Sequence, residues 1–259
     1  MKLQGLTAAV TGGSRGIGRG IVEAFLAEGA AVVFNGRDPQ KGARAIAELK
    51  AGERAHFIAG DVRESAATKQ LVDEAARRNG RLDVMVNNAG GITDPAPVAG
   101  LSDDAWENDL RWNLSSAFYG TRHALAHMLP QSRGCIINIS SVEGKLGVAG
   151  MAGYAAAKHG LHGFTKSVAA EVGRSGITVN AICPGLILTD AVREGGPATA
   201  EAMGMSYEEM IENVFKAKTL TGALNSVAQV AAVAVLLASE AGRGITGALL
   251  SVDGGQAPY

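Results

Sequence analysis

The chain has 259 residues, enough for one large core or two smaller ones, and nearly half of them are apolar. Its charges almost cancel, at a formal net of -1, which gives no basis for nucleic acid or an anionic membrane as the main partner. The 35 glycines follow no repeat, which excludes collagen, and the two cysteines, Cys135 and Cys183, lie in separate apolar runs, which argues against a disulfide framework.

In chain order, short β-rich runs alternate with longer helical ones. Residues 6–11 read as a strand and 19–28 as a helix. Residues 31–34 form a second strand; Asp38-Pro39 then opens a helix, with Asp as its cap and Pro at the first helical position. A third strand covers 55–59, and Ser65 is placed as the cap of a helix reaching about Asn79. After a fourth strand at 82–86, Ser102-Asp103-Asp104 begins a helical region that runs, with a break near Asn113, to about Met128. Residues 135–139 are the fifth strand, 153–174 a long helix and 177–182 the sixth strand. Past an irregular stretch, 226–239 is helical and 248–252 closes the set.

Strands separated by helices imply βαβ crossovers. The expected fold is therefore α/β: a doubly wound parallel seven-stranded sheet with helices on both faces, Rossmann-type, in a single domain covering 1–259. Runs such as Val84-Met85-Val86 fit strands buried on both sides. The chain enters its first strand within a few residues of Met1, so no leader is expected, and the longest apolar run, 227–238, is too short to span a bilayer. A cytoplasmic protein is the expectation. His123 and His127 share a helix face, but no Cys or Glu stands at zinc-ligand spacing beside them, so no metal site is expected.

The turn between the first strand and the first helix reads Thr11-Gly12-Gly13-Ser14-Arg15-Gly16-Ile17-Gly18. Glycines let backbone approach a pyrophosphate, and a helix N-terminus supplies unpaired N–H groups and a positive dipole end. The spacing is Gly-x3-Gly-x-Gly, so a plain strand-to-helix turn competes; placement within the first βαβ unit favours the phosphate. An NAD site usually puts an acid at the end of the second strand, for the ribose 2′-hydroxyl. Here that end reads Asn35-Gly36-Arg37, with Asp38 assigned to the helix cap. Arg37, with Arg15, offers charge-assisted bonds to a 2′-phosphate, so NADP(H) is favoured over NAD(H); a solvated surface arginine is the competing reading.

Tyr154-Ala155-Ala156-Ala157-Lys158 puts a phenol and an ammonium one turn apart on one helix face. Lowering a tyrosine pKa from about 10 to about 7 requires roughly 4 kcal/mol. A unit charge about 4 Å away, at an effective dielectric near 20, supplies roughly that much. Lys158 is therefore expected to bring the pKa of Tyr154 toward neutrality. Asn87-Asn88-Ala89-Gly90 ends the fourth strand, Ser141 follows the fifth and Pro184-Gly185 the sixth, all at the strand ends where open α/β sheets bind ligands. With Asp61-Val62, Asn113 and the segment 184–189 in the same order, the sequence resembles the short-chain dehydrogenase/reductase family over nearly its whole length.

The resemblance implies an NADP(H)-dependent oxidoreductase interconverting a ketone and a secondary alcohol by direct hydride transfer. Tyr154 would be proton donor and acceptor, Ser141 would position the substrate oxygen, and Lys158 would hold the nicotinamide ribose and tune Tyr154. Ser140 turns the opposite way by strand alternation. Asn113 would be the helix-break asparagine whose carbonyl holds a water leading from Lys158 to solvent. Gly12, Ser14, Arg15, Gly16, Ile17 and Gly18 would surround the phosphates. Arg37 would meet the adenosine, with Asp61 and Val62 at the adenine. Asn88, Ala89 and Gly90 would run along the ribose and nicotinamide, while Asn87 stays open between that role and tying strands together. Pro184, Gly185, Ile187 and Thr189 would contact the carboxamide and phosphates, and Tyr154 and Lys158 serve cofactor and chemistry alike.

Substrate choice falls to 91–101, 142–151 and above all 190–220, read as an irregular lid hinged at Gly195-Gly196-Pro197. Met203, Met205, Tyr207, Met210, Val214 and Phe215 would form its adaptable apolar side; a segment that only packs on the core is the alternative. Glu143 and Lys145 argue against a purely apolar pocket. The expected partners are a small carbonyl or alcohol and further copies of the chain, as a homotetramer or dimer through 112–128 and 153–174. Two other functions compete. A 3-oxoacyl-[acyl-carrier-protein] reductase is weakened by the want of a basic docking patch, and a non-catalytic cofactor-binding regulator by the intact Tyr, Lys, Ser and Asn set.

Overall fold

A computed structural model describes residues 1–257. Seven parallel strands form one sheet: β1 (Thr7–Val10), β2 (Ala31–Gly36), β3 (Ala55–Ala59), β4 (Val84–Asn87), β5 (Gly134–Ile139), β6 (Ile177–Pro184) and β7 (Leu249–Val252). They are ordered β3-β2-β1-β4-β5-β6-β7. β1 lies between β2 and β4, with Ala8 opposite Val32 on one side and Val84 on the other. The winding reverses there, so the crevice beyond the ends of β1 and β4 is where such a sheet receives ligands.

The helices are α1 (Gly16–Ala27), α2 (Pro39–Leu49), α3 (Ser65–Asn79), α4 (Asp103–Leu110), α5 (Ser116–Met128), α6 (Ala152–Val172), α7 (Asp190–Ala202), α8 (Tyr207–Glu209) and α9 (Val227–Ala238). Alternate strand residues feed two apolar layers. Ala8, Val10, Val84 and Val86 pack with α1 and α9, while Ala9, Val33 and Met85 pack with α3, α5 and α6. Fully buried side chains such as Phe25 and Leu71 contribute roughly 2–3 kcal/mol each. The parallel, doubly wound α/β fold read from the sequence is the fold observed.

Four local expectations change. Ser65 is the first residue of α3 and does not cap it: its hydroxyl is spent on α5, against His123 Nε2 at 3.0 Å and Arg122 Nη2 at 3.0 Å. The break near Asn113 is a π turn, Arg111–Ser115, that carries α4 into α5 with helical dihedrals on both sides. Segment 190–220 is largely helical, through α7, α8 and a π turn at Met210–Phe215, and builds a small apolar cluster around Ala200, Met210 and Ile211. The Gly195-Gly196-Pro197 stretch lies inside α7, where a Cβ on Gly196 would strike the Tyr207 ring; close packing with α8 accounts for that glycine.

Asp38 and Ser226 do cap their helices, Ser226 in a reciprocal arrangement with Gln229. His127 meets Asp73 at 3.0 Å, both cysteines are buried and unpaired, and no metal-binding group forms among the described residues. None of the described helices is long and apolar enough to cross a membrane.

Candidate active site

β1 delivers Thr11 to the crevice, where it ties two loops together. Its Oγ1 accepts from the N–H groups of Asn88 at 2.9 Å and Ala89 at 3.0 Å, and Asn88 Nδ2 donates to Thr11 O at 2.8 Å. The Gly12 N–H donates to Asn35 Oδ1 at 3.0 Å, which binds the end of β2 into the same assembly. Gly12 and Gly16 take φ values of 65° and 57°, which favour glycine. A Cβ on Gly18 would overlap the Gly12 carbonyl oxygen and Asn88 Nδ2. α1 starts here with no side-chain cap and no acid in its first turn, so its free N–H groups and positive dipole end open on a groove of about 290 Å³.

Toward the adenosine end, β2 stops at Gly36, where a Cβ would lie 2.8 Å from Ser14 Oγ; no acid fits there without displacing Ser14. The Arg37 guanidinium sits 5.4 Å above the Trp112 ring. Among the described residues it pairs with no carboxylate, unlike Arg15, which approaches Glu194 to 3.9 Å. Asp61 is gripped by the Arg63 fork, with Nη2 to Oδ2 at 2.6 Å, and this bonding holds its carboxyl below the usual range.

At the chemical end the π turn buries Asn113, whose Nδ2 donates to Gly91 O at 2.8 Å and Asp109 O at 2.9 Å while Oδ1 accepts from Gly91 N–H at 3.0 Å. Gly90 fits between Asn113 and Lys158: a Cβ there would lie 2.5 Å from Oδ1 and 3.4 Å from Nζ. Tyr154 stands in the first turn of α6, with Lys158 Nζ 5.4 Å from its ring centroid and donating to Ile139 O at 3.0 Å. Ser141, two residues beyond β5, accepts from the Glu143 N–H at 3.2 Å. Ser140 faces the other way, into a buried contact with His162 Nε2 at 2.7 Å.

Burial governs the proton affinities here. The Tyr154 phenol is pushed well above its ordinary value, first by burial and then by the Glu143 carboxylate, with a Ser141 hydrogen bond opposing. Lys158 was expected to lower it; the direction is the opposite, with burial the largest cause, and the Lys158 ammonium is itself brought down to about 8 by desolvation. Burial likewise lowers His162 to about 4 and raises Glu143.

Of the residues anticipated for this site, the groove gathers Gly12, Ser14 to Gly18, Arg37, Asp61, Val62, Asn88 to Gly90, Tyr154, Lys158 and Thr189 on its walls. Asn113, Ser141, Pro184, Gly185 and Ile187 are not on them. Asn113 lies behind Gly90, Gly185 packs on Asp253, and Ile187 belongs to the apolar layer of α1 and α9. Asn35, Trp112 and Ile139 also line the groove and were missed, and Ser140, read as turning the opposite way from Ser141, borders it too. Asn35 had a signal, a polar residue ending an apolar strand; Ile139 had none, because its carbonyl does the work.

Free helix-terminal donors, absent Cβ atoms and an uncommitted arginine suit a nicotinamide dinucleotide. The chain belongs to the short chain dehydrogenase family, whose model matches residues 6–200, and it is an NAD(P)-binding oxidoreductase of CH–OH groups. It is 38% identical to D-beta-hydroxybutyrate dehydrogenase of Cupriavidus necator, over 98% of each chain. It is 36% identical to a 3beta-hydroxysteroid dehydrogenase of Mediterraneibacter gnavus, over 96% of this chain and 94% of that one, and 36% identical to the 3-oxoacyl-[acyl-carrier-protein] reductase FabG of Escherichia coli, over 98% of each. Among solved structures, a variant actinorhodin polyketide ketoreductase with NADPH matches with a TM-score of 0.92 at 34% identity, covering 98% of each chain. Levodione reductase matches with 0.91 at 28% identity, covering 99% of each.

Proposed function

We propose that the enzyme is NADP(H)-dependent and interconverts a ketone and a secondary alcohol, with Tyr154 moving the proton. The observation that carries this reading is that Tyr154 and Lys158 stand on the wall of the same groove as the glycine loop. NADP(H), when bound, supplies or takes up a hydride at its nicotinamide C4. The raised proton affinity of Tyr154 keeps the phenol protonated at neutral pH, the form needed to protonate a carbonyl oxygen during reduction. Lys158, with its pKa near 8, stays largely cationic at neutral pH and stabilises the phenolate left behind. Ser141 positions the substrate oxygen beside Tyr154, and Asn113 holds the π turn against Gly91, which fixes the loop after β4 that forms part of the groove wall.

Arg37, unpaired at the adenosine end, recognises the 2′-phosphate together with Arg15. Segment 190–220 covers the substrate. Exposed Phe118, stacked edge-on to Phe164 on α6, supports association of α5 and α6 between copies of a cytoplasmic homo-oligomer. The test is Tyr154→Phe. Turnover should fall by about 10³-fold or more with the NADPH Kd within about twofold, as expected for loss of a general acid; retained turnover overturns the assignment.

A further inference from the structure

Glu143 neither gives nor takes the proton in the step proposed above, yet it is fixed beside it. It lies in a short turn, Val142–Gly144, for which Ser141 provides the side-chain cap. That turn is pressed on α6: a Cβ on Gly144 would meet the His162 ring at 2.5 Å and the Lys158 carbonyl oxygen at 3.0 Å. The turn therefore cannot swing away freely. Its backbone N–H donates to Ser141 Oγ at 3.2 Å, which ties it directly to a residue of the reacting end, and its charge raises the proton affinities of Tyr154 and Lys158.

Its Oε2 is buried and has no hydrogen-bond partner. The neighbouring cations are otherwise engaged. Lys145 donates to Leu249 O at 3.2 Å and Ser251 Oγ at 2.9 Å, Lys158 donates to Ile139 O, and Lys218 lies 5.9 Å from the Phe215 ring centroid. Buried acceptors without donors are rare, because each forfeits its hydration. A donor brought in by another molecule resolves that, and the molecule received beside Ser141 and Tyr154 is the substrate.

We propose that Glu143 is a specificity-determining residue: its carboxyl accepts a hydrogen bond from a hydroxyl or ammonium group carried by the substrate near the reacting carbonyl, and it repels a carboxylate at that place. This rests on the ketone reductase reading above. It sets the enzyme apart from its relative named D-beta-hydroxybutyrate dehydrogenase, whose named substrate bears a carboxylate close to the reacting carbon.

The experiment is NADPH-dependent reduction of four matched ketones by the full chain: 4-hydroxy-2-butanone, protonated 4-(dimethylamino)-2-butanone, acetoacetate and 2-butanone. The wild type should prefer the hydroxyl or the ammonium ketone to acetoacetate by about tenfold or more in kcat/KM, chiefly through KM. In Glu143→Gln the ratio of kcat/KM for the donor ketones to that for acetoacetate should collapse, whereas the easier ionisation of Tyr154 moves all four ketones in common. A larger effect on the ammonium ketone identifies charge as the feature read; equal effects on both donor ketones identify the hydrogen bond. Acetoacetate turned over by the wild type as well as its donor-bearing counterparts overturns the proposal even if the variant does not fold. So does a variant that loses activity equally on all four ketones, since that is what a merely structural role produces. NADPH that binds but is consumed with none of them overturns the ketone reductase reading, and this inference with it.

Discussion

The two ends of the groove are built by opposite means. The cofactor end is made of backbone and absences: Gly12, Gly16, Gly18 and Gly36 leave space, while Thr11, Asn35 and Asn88 lash three loops into one rigid turn. The chemical end is made of side chains, buried Lys158 and His162 and half-buried Tyr154 and Glu143, whose proton affinities loss of solvent has displaced. The first should be intolerant of added atoms and indifferent to pH. The second should tolerate modest changes of shape and be sensitive to charge. Substitutions can break that contrast.

The largest effect on cofactor binding is expected at Gly18. A methyl group there meets both the Gly12 carbonyl and Asn88, so Gly18→Ala must push the loop open. The NADPH Kd should rise by about 100-fold, equivalent to roughly 3 kcal/mol, with the far-ultraviolet circular dichroism unchanged. Titration calorimetry giving a wild-type Kd would show that the loop yields, and the contrast between the two ends would fail. A smaller and more selective loss is expected for Arg37→Ala. Removing one charge-assisted contact should weaken NADPH by about 10- to 100-fold while NADH binding stays within about twofold. Equal losses for the two cofactors would mean that Arg37 serves the Trp112 stack rather than a phosphate.

What could be read from the sequence divides along the same line. The parallel sheet was legible because strands buried on both faces must be apolar throughout, as Val84-Met85-Val86 is. The glycine turn was legible because absence of a side chain is itself a sequence feature. The Tyr154–Lys158 pair was legible as a contact but not as an electrostatic sign: an i,i+4 spacing reports proximity, whereas the depth of burial that dominates both groups is set by the assembled fold. Trp112 could not be connected to Arg37, since the π turn that brings them together is made by tertiary packing. The helices of 190–220 were hidden by Gly195-Gly196-Pro197, which reads as a breaker and turns out to make room for Tyr207.

The smallest expected effect isolates charge from shape at the chemical end. His162 lies beneath Ser140, at 2.7 Å from its hydroxyl and 3.4 Å from Cys183 Sγ, and burial followed by the charges of His159, Lys145, Lys166 and Lys158 lowers its pKa from 6.5 to about 4. The folded protein keeps this imidazole neutral, whereas the unfolded chain takes up its proton once the pH drops below about 6.5. Between about 6.5 and about 4 the unfolded state therefore binds more protons, and stability falls with falling pH across that window. Below about 4 the folded form is protonated as well, and the loss levels off. The full shift corresponds to roughly 3 kcal/mol, which partial solvent screening reduces to about 1–2 kcal/mol. His162→Asn keeps a polar partner for Ser140 but cannot take up the proton, so its urea stability should decline by that much less between pH 7 and pH 4.5. Identical declines in the two proteins would move the acid sensitivity away from His162 and leave the chemical end no more responsive to charge than the glycine turn.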